Sequence, residues 1–493
     1  MESFRLNDEF YLSEEAPSGG IDRQQFYINK LKLYIEEYKA KSGRNLTYSI
    51  ETFGCQMNFH DSEKLEGILE NIGYKKADSN TADLIIFNTC TIRENANLKL
   101  YGHLGTLKKR RLTSPDMMIG ICGCMMQEPT VIENIKTKYK YVDLVFGTFN
   151  FHKVAEIIFK RISTGKQVIE IEKEAVENVE NLPSKRKYEF KSGLNIMYGC
   201  NNFCTYCIVP YVRGRERSRT PEDILEEARR LAADGVKEIM LLGQNVNSYG
   251  TNFLAESDII KNNPDYSFPE LLDDICKIPE FERVRFMTSH PKDLSDKLID
   301  VISKNKNVCR SIHLPVQSGS NEILRRMNRK YTRESYIELL NKLKDRIPDV
   351  SITTDIIVGF PGETDADFED TLSLVEMAGY DQAFTFIYSK RTGTPAAGYD
   401  DQIDDDVIKT RFDRLLDAVN RTTKERVSRF KDLTLPVLVE EEDKDMEGYL
   451  TGKTEYSTTV HFKGDKSLIG EIVPVKLSVH KGFYYLGELT EEV

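Results

Sequence analysis

The sequence predicts an α/β protein in three folded parts: an N-terminal doubly wound parallel α/β domain, a central partial (β/α)6 barrel and a C-terminal small β-barrel. Three observations carry this reading. Strands and helices alternate from Tyr48 to Phe146, they alternate about six more times from Leu194 to Tyr388, and from about Leu433 short strands and turns replace helices. A chain of 493 residues exceeds what one core supports, and its 40% hydrophobic content is enough for several. The expected division is an extension over 1–45, a first domain over 46–168, a linker over 169–191, a second domain over 192–430 and a third over 432–493.

Taken in order, the extension is polar apart from a helix-like stretch, Gln24 to Ile35, and no function is assigned to it. The first domain reads as strands at Tyr48–Phe53, Asp83–Asn88, Met117–Ile121 and Val142–Phe146. Helices near Asp61–Asn71, Arg93–Arg111 and Val131–Tyr139 separate them. Cys55, Cys90 and Cys124 each follow one of three successive strands, roughly 35 residues apart. In an open parallel sheet, strand carboxyl ends share one crevice, so three distant thiols can become neighbours able to hold an iron-sulfur cluster. Cys122, two residues from Cys124 in an extended run, points to the other face and reads as packing. Cys276 and Cys309 read the same way.

The charged linker Glu170–Lys191 leads into strands at Leu194–Met197, Glu238–Leu242, Val284–Thr288, Ser311–Leu314, Ile352–Val358 and Ala383–Tyr388. Thr220 as N-cap, Pro221 at the first helical position and Gly235 beyond the end mark the first intervening helix. Cys200, Cys204 and Cys207 form a CxxxCxxC loop directly after the first strand, at the barrel face where such folds place chemistry. Three thiolates on a four-iron cluster leave one iron open, which separates a reactive centre from a closed structural one. A zinc site would need a fourth ligand, and the next histidine is His290. The same rim carries Gln244, Asn245, Ser289, His290, Gln317, Ser318, Gly359 to Glu363, Tyr388, Ser389 and Arg391 as candidate ligand contacts. Glycine at Gly359 is expected to let the backbone approach a ligand closely.

The net charge of −11 argues against nucleic-acid binding by bulk charge, so any RNA contact must come from local basic patches. Arg213, Arg215, Arg217 and Arg219, alternating beside the CxxxCxxC loop, are the leading candidates, with Lys108–Arg111 behind them. The last domain holds thirteen acidic residues against six lysines and no arginine. An odd number of cysteines and a start without an apolar signal core point to a reducing cytoplasm, with metal or redox use rather than disulfides. No run is long and apolar enough to span a bilayer. A monomer is expected.

These strings together resemble the methylthiotransferase family of radical S-adenosylmethionine (SAM) enzymes, from Tyr48 onwards. They are Thr52-Phe-Gly-Cys-Gln-Met-Asn, Asn88-Thr-Cys-Thr-Ile-Arg, Gly123-Cys-Met-Met-Gln, the CxxxCxxC loop with its flanks, Leu242-Gly-Gln-Asn-Val-Asn-Ser-Tyr and His313-Leu-Pro-Val-Gln-Ser-Gly-Ser. The resemblance implies two 4Fe-4S clusters, an auxiliary one on Cys55, Cys90 and Cys124 and a SAM-binding one on Cys200, Cys204 and Cys207. Of the rim residues, Gln244, Ser289, Gln317, Gly359 and Tyr388 are the expected contacts to SAM. The activity implied is methylthiolation in two SAM-dependent steps, methyl transfer to a cluster-bound sulfur and then radical conversion of a C–H bond. The tRNA branch of the family, which the Gly-Cys-Gln-Met-Asn and Pro-Val-Gln-Ser-Gly-Ser strings favour, acts on a prenylated adenosine in the anticodon loop and needs an electron donor protein and a sulfur donor. The last domain resembles a TRAM module, which is associated with RNA. Two other readings stay open: methylthiolation of an aspartate on a small-subunit ribosomal protein, and a non-catalytic iron-sulfur protein that binds RNA.

Overall fold

The computed structural model describes residues 15–91, 94–174, 182–253 and 255–490. They form two compact units interleaved in sequence: one takes the chain up to residue 187 together with 198–200 and 208–215, the other takes 188–197, 201–207 and 216 onwards. Ile92 and Arg93, the middle of the charged linker and residues 1–14 of the extension lie outside the described residues.

The first unit is built on a six-stranded, all-parallel sheet: β1 (Thr47–Thr52), β2 (Lys75–Lys76), β3 (Leu84–Thr89), β4 (Met118–Gly123), β5 (Leu144–Phe146) and β6 (Val168–Glu170). The spatial order is β2-β1-β3-β4-β5-β6. Covered on both faces, β3 is buried along its whole length, as a central parallel strand must be. Its side chains divide by alternation. Leu84 and Ile86 enter a core with the helices Gln56–Ile72 and Val154–Thr164, while Ile85 and Phe87 enter a second core on the opposite face with Leu100, Leu104 and Ile135.

Two expectations need correction here. The helix Gly20–Ser42 buries Tyr27, Ile28, Leu31, Tyr34 and Ile35 in the first of these cores, and Arg23 pairs with Glu156 at 2.7 Å. From Gly20 the chain is therefore part of the first unit, not a separate extension. The sheet also continues into the expected linker, because β6 pairs with β5 from Leu144 opposite Val168.

In the second unit, β7 (Lys191–Asn195), β8 (Met197–Tyr198) and β9 (Arg217–Ser218) begin the chain's path. They are followed by β10 (Glu238–Leu242), β11 (Arg283–Phe286), β12 (Ser311–His313), β13 (Ser351–Val358) and β14 (Gln382–Ile387). Two three-stranded parallel sheets, β11-β10-β7 and β12-β13-β14, are joined through a parallel bridge from Val284 to Val308, giving six strands in a half barrel. Ile239, Val284, Ile312, Ile352 and Ile356 point outwards into one large core with the surrounding helices. Residues in register with their neighbours alternate to the concave side.

The closed C-terminal barrel, β15 (Thr434–Glu442), β16 (Tyr449–Thr454), β17 (Thr459–Lys463), β18 (Ile472–His480) and β19 (Tyr484–Leu489), seats on the amino ends of the half-barrel strands. Arg283 donates to the carbonyls of Lys453 and Pro436 at 2.7 and 2.8 Å, and Arg285 donates to the Thr454 carbonyl and to Ser457 Oγ. Lys191 bridges Glu238 and Glu440. Part of the acidity of the last domain is thus spent on the basic end of the half barrel.

Candidate functional site

Register brings the three N-terminal thiols abreast. Thr52 pairs with Asn88, and Asn88 and Thr89 pair with Cys122 and Gly123, so β1, β3 and β4 end together. Cys55 caps the helix Gln56–Ile72, Cys90 follows β3, and Cys124 opens the short turn Cys124–Gln127. The strand order reverses between β1 and β3, which is the crevice where open α/β sheets bind ligands. Gly54 and Gly123, both at positive φ, allow the approach: a Cβ would stand 2.5 Å from Cys90 Cβ at the first and 2.4 Å from the Thr89 carbonyl at the second. Asn58, fully buried, ties the loops together by donating to the carbonyls of Phe53 and Thr89, each at 2.9 Å. Its Oδ1 lies 3.7 Å from Cys55 Sγ and 3.9 Å from Cys124 Sγ. Cys122 turns away into the core beside Leu84 and Ile86.

Arg213 completes this site. Its guanidinium is 5% exposed and donates to Cys124 Sγ at 3.2 Å, and to Asn58 Oδ1 and Asp61 Oδ2 at 2.8 Å each. Burial works against its charge, but Cys124, Asp61 and Cys55 hold it well above the ordinary arginine range. Burial pushes the Cys124 thiol up to about 11, with Arg213 pulling in the opposite direction. Among the described residues no three His, Cys, Asp or Glu side chains stand in position to hold a single metal ion. Ligands of a cluster stand further apart than ligands of one ion. Soft sulfur donors at a switch-point crevice, beside a buried cation that offsets thiolate charge, fit an iron-sulfur group.

The CxxxCxxC loop is held by its flanks. The Cys200 amide donates to the Gly214 carbonyl at 3.2 Å within the first unit. Residues 201–207 are anchored in the second unit to Arg326–Arg329. Thr205 donates to the carbonyls of Met327 and Arg326, and Asn328 donates to those of Asn202 and Phe203. Arg329, 8% exposed, donates to Cys204 Sγ at 3.3 Å and to the Pro315 carbonyl at 2.9 Å. Asn58, Asn328 and Arg329 are contacts that the sequence reading did not single out as site residues. Asn58 closes the Thr52-Phe-Gly-Cys-Gln-Met-Asn string, three residues after Cys55, and that was its signal; Asn328 and Arg329 lie in a basic stretch that reads as a solvated face.

At the carboxyl ends of the half-barrel strands, the structure leaves buried polar atoms without hydrogen-bond partners. They are Asn245 Oδ1 after β10, Ser289 Oγ and His290 Nε2 after β11, and the Tyr388 hydroxyl after β14. Burial first, then Arg329 and Lys292, holds His290 down to about 2, so its ring is neutral. Because its Nδ1 accepts from the Lys292 amide, Nε2 carries the proton and is a donor. Thr288 and Gln317, both non-glycine, take positive φ values of 69° and 70° at this rim, and such strain concentrates at ligand sites. A polar small molecule with several donors and acceptors fits these groups. Gln244 is half-buried at the same rim.

Three of the candidate residues are engaged within the fold. Arg213 is committed to Cys124 and Asp61, and Arg219, 2% exposed, to the Asn195 carbonyl and Glu227, so both guanidinium groups are engaged inside the protein. Of that set Arg215 is exposed and Arg217 half-buried. Gly359 does not open space for a ligand, because Ile408 fills the place of its Cβ at 2.7 Å and its amide donates to Glu363 Oε2.

Comparison with known proteins follows the same division. The radical SAM superfamily model matches residues 194–375, the uncharacterized protein family UPF0004 matches 47–147, and the TRAM domain matches 433–490. The tRNA-2-methylthio-N(6)-dimethylallyladenosine synthase of Lachnoclostridium phytofermentans is 53% identical over 461 residues, 94% of this chain and 99% of that protein. Its counterpart in Alkaliphilus oremlandii is 51% identical over 96% of this chain and 97% of that protein. Among solved structures, the radical SAM methyltransferase TsrM from Kitasatospora setae, with cobalamin and a [4Fe-4S] cluster bound, shares the fold at a TM-score of 0.50. Its identity is 15%, over 71% of this chain and 77% of that one.

Proposed function

Since the chain belongs to the family of tRNA-2-methylthio-N(6)-dimethylallyladenosine synthases among the radical SAM enzymes, we propose that it converts N6-dimethylallyladenosine beside the tRNA anticodon to its 2-methylthio derivative. The observation that carries this reading is the convergence of Cys55, Cys90 and Cys124 with Arg213 at the switch point, in a chain that also holds an anchored CxxxCxxC loop. One cluster on each cysteine set is proposed, with SAM at the rim. When bound, the clusters and SAM supply methyl transfer and one-electron chemistry at an aromatic C–H bond that acid-base groups cannot activate.

The chain's own residues bind and orient. Asn58 and Arg213 fix the first thiol set, while Asn328 and Arg329 fix the loop of the second. Asn245, Ser289, His290 and Tyr388 offer SAM donors and acceptors, His290 as a neutral N–H. Three parts, the α/β domain with its N-terminal helix, the half barrel and the TRAM barrel, are proposed as the working domains. The substrate base must leave its stack to be reached. An electron donor protein and a sulfur donor are required, and a cytoplasmic setting suits tRNA as substrate. No helix among the described residues is long and apolar enough to cross a membrane.

The test is anaerobic turnover with SAM, a reductant and prenylated tRNA, followed by mass analysis of the digested nucleosides. A methylthio-adenosine is expected. Unchanged tRNA alongside fresh 5′-deoxyadenosine overturns the substrate and points to the ribosomal-protein aspartate.

A further inference from the structure

Resting on that reading, we propose that Phe384 and Phe386 of β14 form the surface that recognises the prenylated purine and distinguishes it from plain adenosine. The register of the half barrel sets their direction. Asp355 pairs with Phe384 and Ile357 with Phe386, while the alternate residues Ile352, Ile356 and Ala383 pack into the outer core. Phe384 and Phe386 therefore face the concave side, together with His313, Thr353 and Asp355. They are 40% and 49% exposed, two large apolar rings at positions i and i+2 on a strand at the edge of its sheet. Scattered exposed phenylalanines need no explanation, but a contiguous pair inside a concave face does.

The neighbouring polar groups say what covers it. The His313 ring stands edge-on to Phe384, with centroids 6.0 Å apart, and is itself fixed by Thr353 Oγ1 at 2.9 Å and Asp355 Oδ2 at 3.5 Å. A ladder of aromatic faces beside a carboxylate acceptor suits a purine, whose ring stacks and whose exocyclic N–H donates. The dimethylallyl group adds apolar area that such rings can cover. The same carboxylate repels an aspartate side chain, so this face favours the RNA base over the ribosomal-protein substrate.

The experiment uses the holoenzyme with two anticodon stem-loop RNAs, identical except for the N6-dimethylallyl group, and measures the dissociation constant of each by fluorescence anisotropy. Wild type is expected to prefer the prenylated RNA. F384A and F386A should each weaken its binding by about 5- to 100-fold and remove most of the preference, with little change in unfolding temperature because both side chains are exposed. Alanine variants that keep the wild-type ratio overturn the inference. A wild type that makes the methylthio product yet binds both RNAs equally also overturns it and leaves the function standing. A wild type with no preference and no product overturns both.

Discussion

Arg213 and Arg329 each place a buried guanidinium against a cysteine sulfur, at Cys124 and Cys204. Arginine suits this role because it keeps its charge when buried and spreads its donors over several acceptors. Arg213→Gln is expected to leave Asp61 as an uncompensated buried carboxylate, costing roughly 3–5 kcal/mol. It should also lower the reduction potential of the cluster proposed on Cys55, Cys90 and Cys124, whereas Arg213→Lys keeps the charge and recovers part of both. Thermal unfolding and a potentiometric titration followed by electron paramagnetic resonance check this, and an unchanged potential in Arg213→Gln would remove the electrostatic role. The strand-end placement of Cys55, Cys90 and Cys124 was legible because apolar runs mark strand ends. Arg213 was not. Even spacing from Arg213 to Arg219 suggests one exposed face of an extended segment, but the helical turn Val209–Val212 and the positive φ of Gly214 break that alternation and send Arg213 inwards.

The helix Gly20–Ser42 shows what can be read of an element and what cannot. Its buried positions Tyr27, Ile28, Leu31, Tyr34 and Ile35 follow helical spacing, so a stripe is visible in the sequence. Its partners, Phe159 and Glu156 on a helix more than a hundred residues later, are not. Leu31 is fully buried in that core, and Leu31→Ala is expected to destabilise the first unit by about 2–5 kcal/mol in chemical unfolding. A cost near zero would show that the helix is an appendage after all. The strand β6 escaped because three half-buried residues carry no period to detect. The six barrel strands and five terminal strands were legible because apolar runs, as in β10 and β13, or apolar-polar alternation, as in β11 and β17, stand between turn residues.

At the scale of the whole molecule, the seat of the TRAM barrel turns on Glu238. Burial raises its pKa, but Arg285, Lys191 and Arg283 outweigh burial and hold it at about 2, below the ordinary 4.5. The contribution of its carboxylate to stability is therefore complete above about 4.5 and is lost as pH falls towards about 2. Unfolding temperature measured against pH should show wild type well above Glu238→Gln at neutral pH, with the gap closing over that window. Parallel curves would mean that the carboxylate is not what the arginines hold. This network was invisible in the sequence because its members come from four separate strands, β7, β10, β11 and β15.

Interleaving of the two units sets an order on synthesis. Val212 packs on Cys124 and Arg213 bonds to it, yet both leave the ribosome only after residues 188–197 and 201–207 of the other unit. A nascent chain halted at residue 187 would carry Asp61 and its three thiols without their cation, still open to solvent. Translation past the second cysteine motif is thus what seals the first, and vector-borne fragments cut at the apparent domain border would be born unfinished.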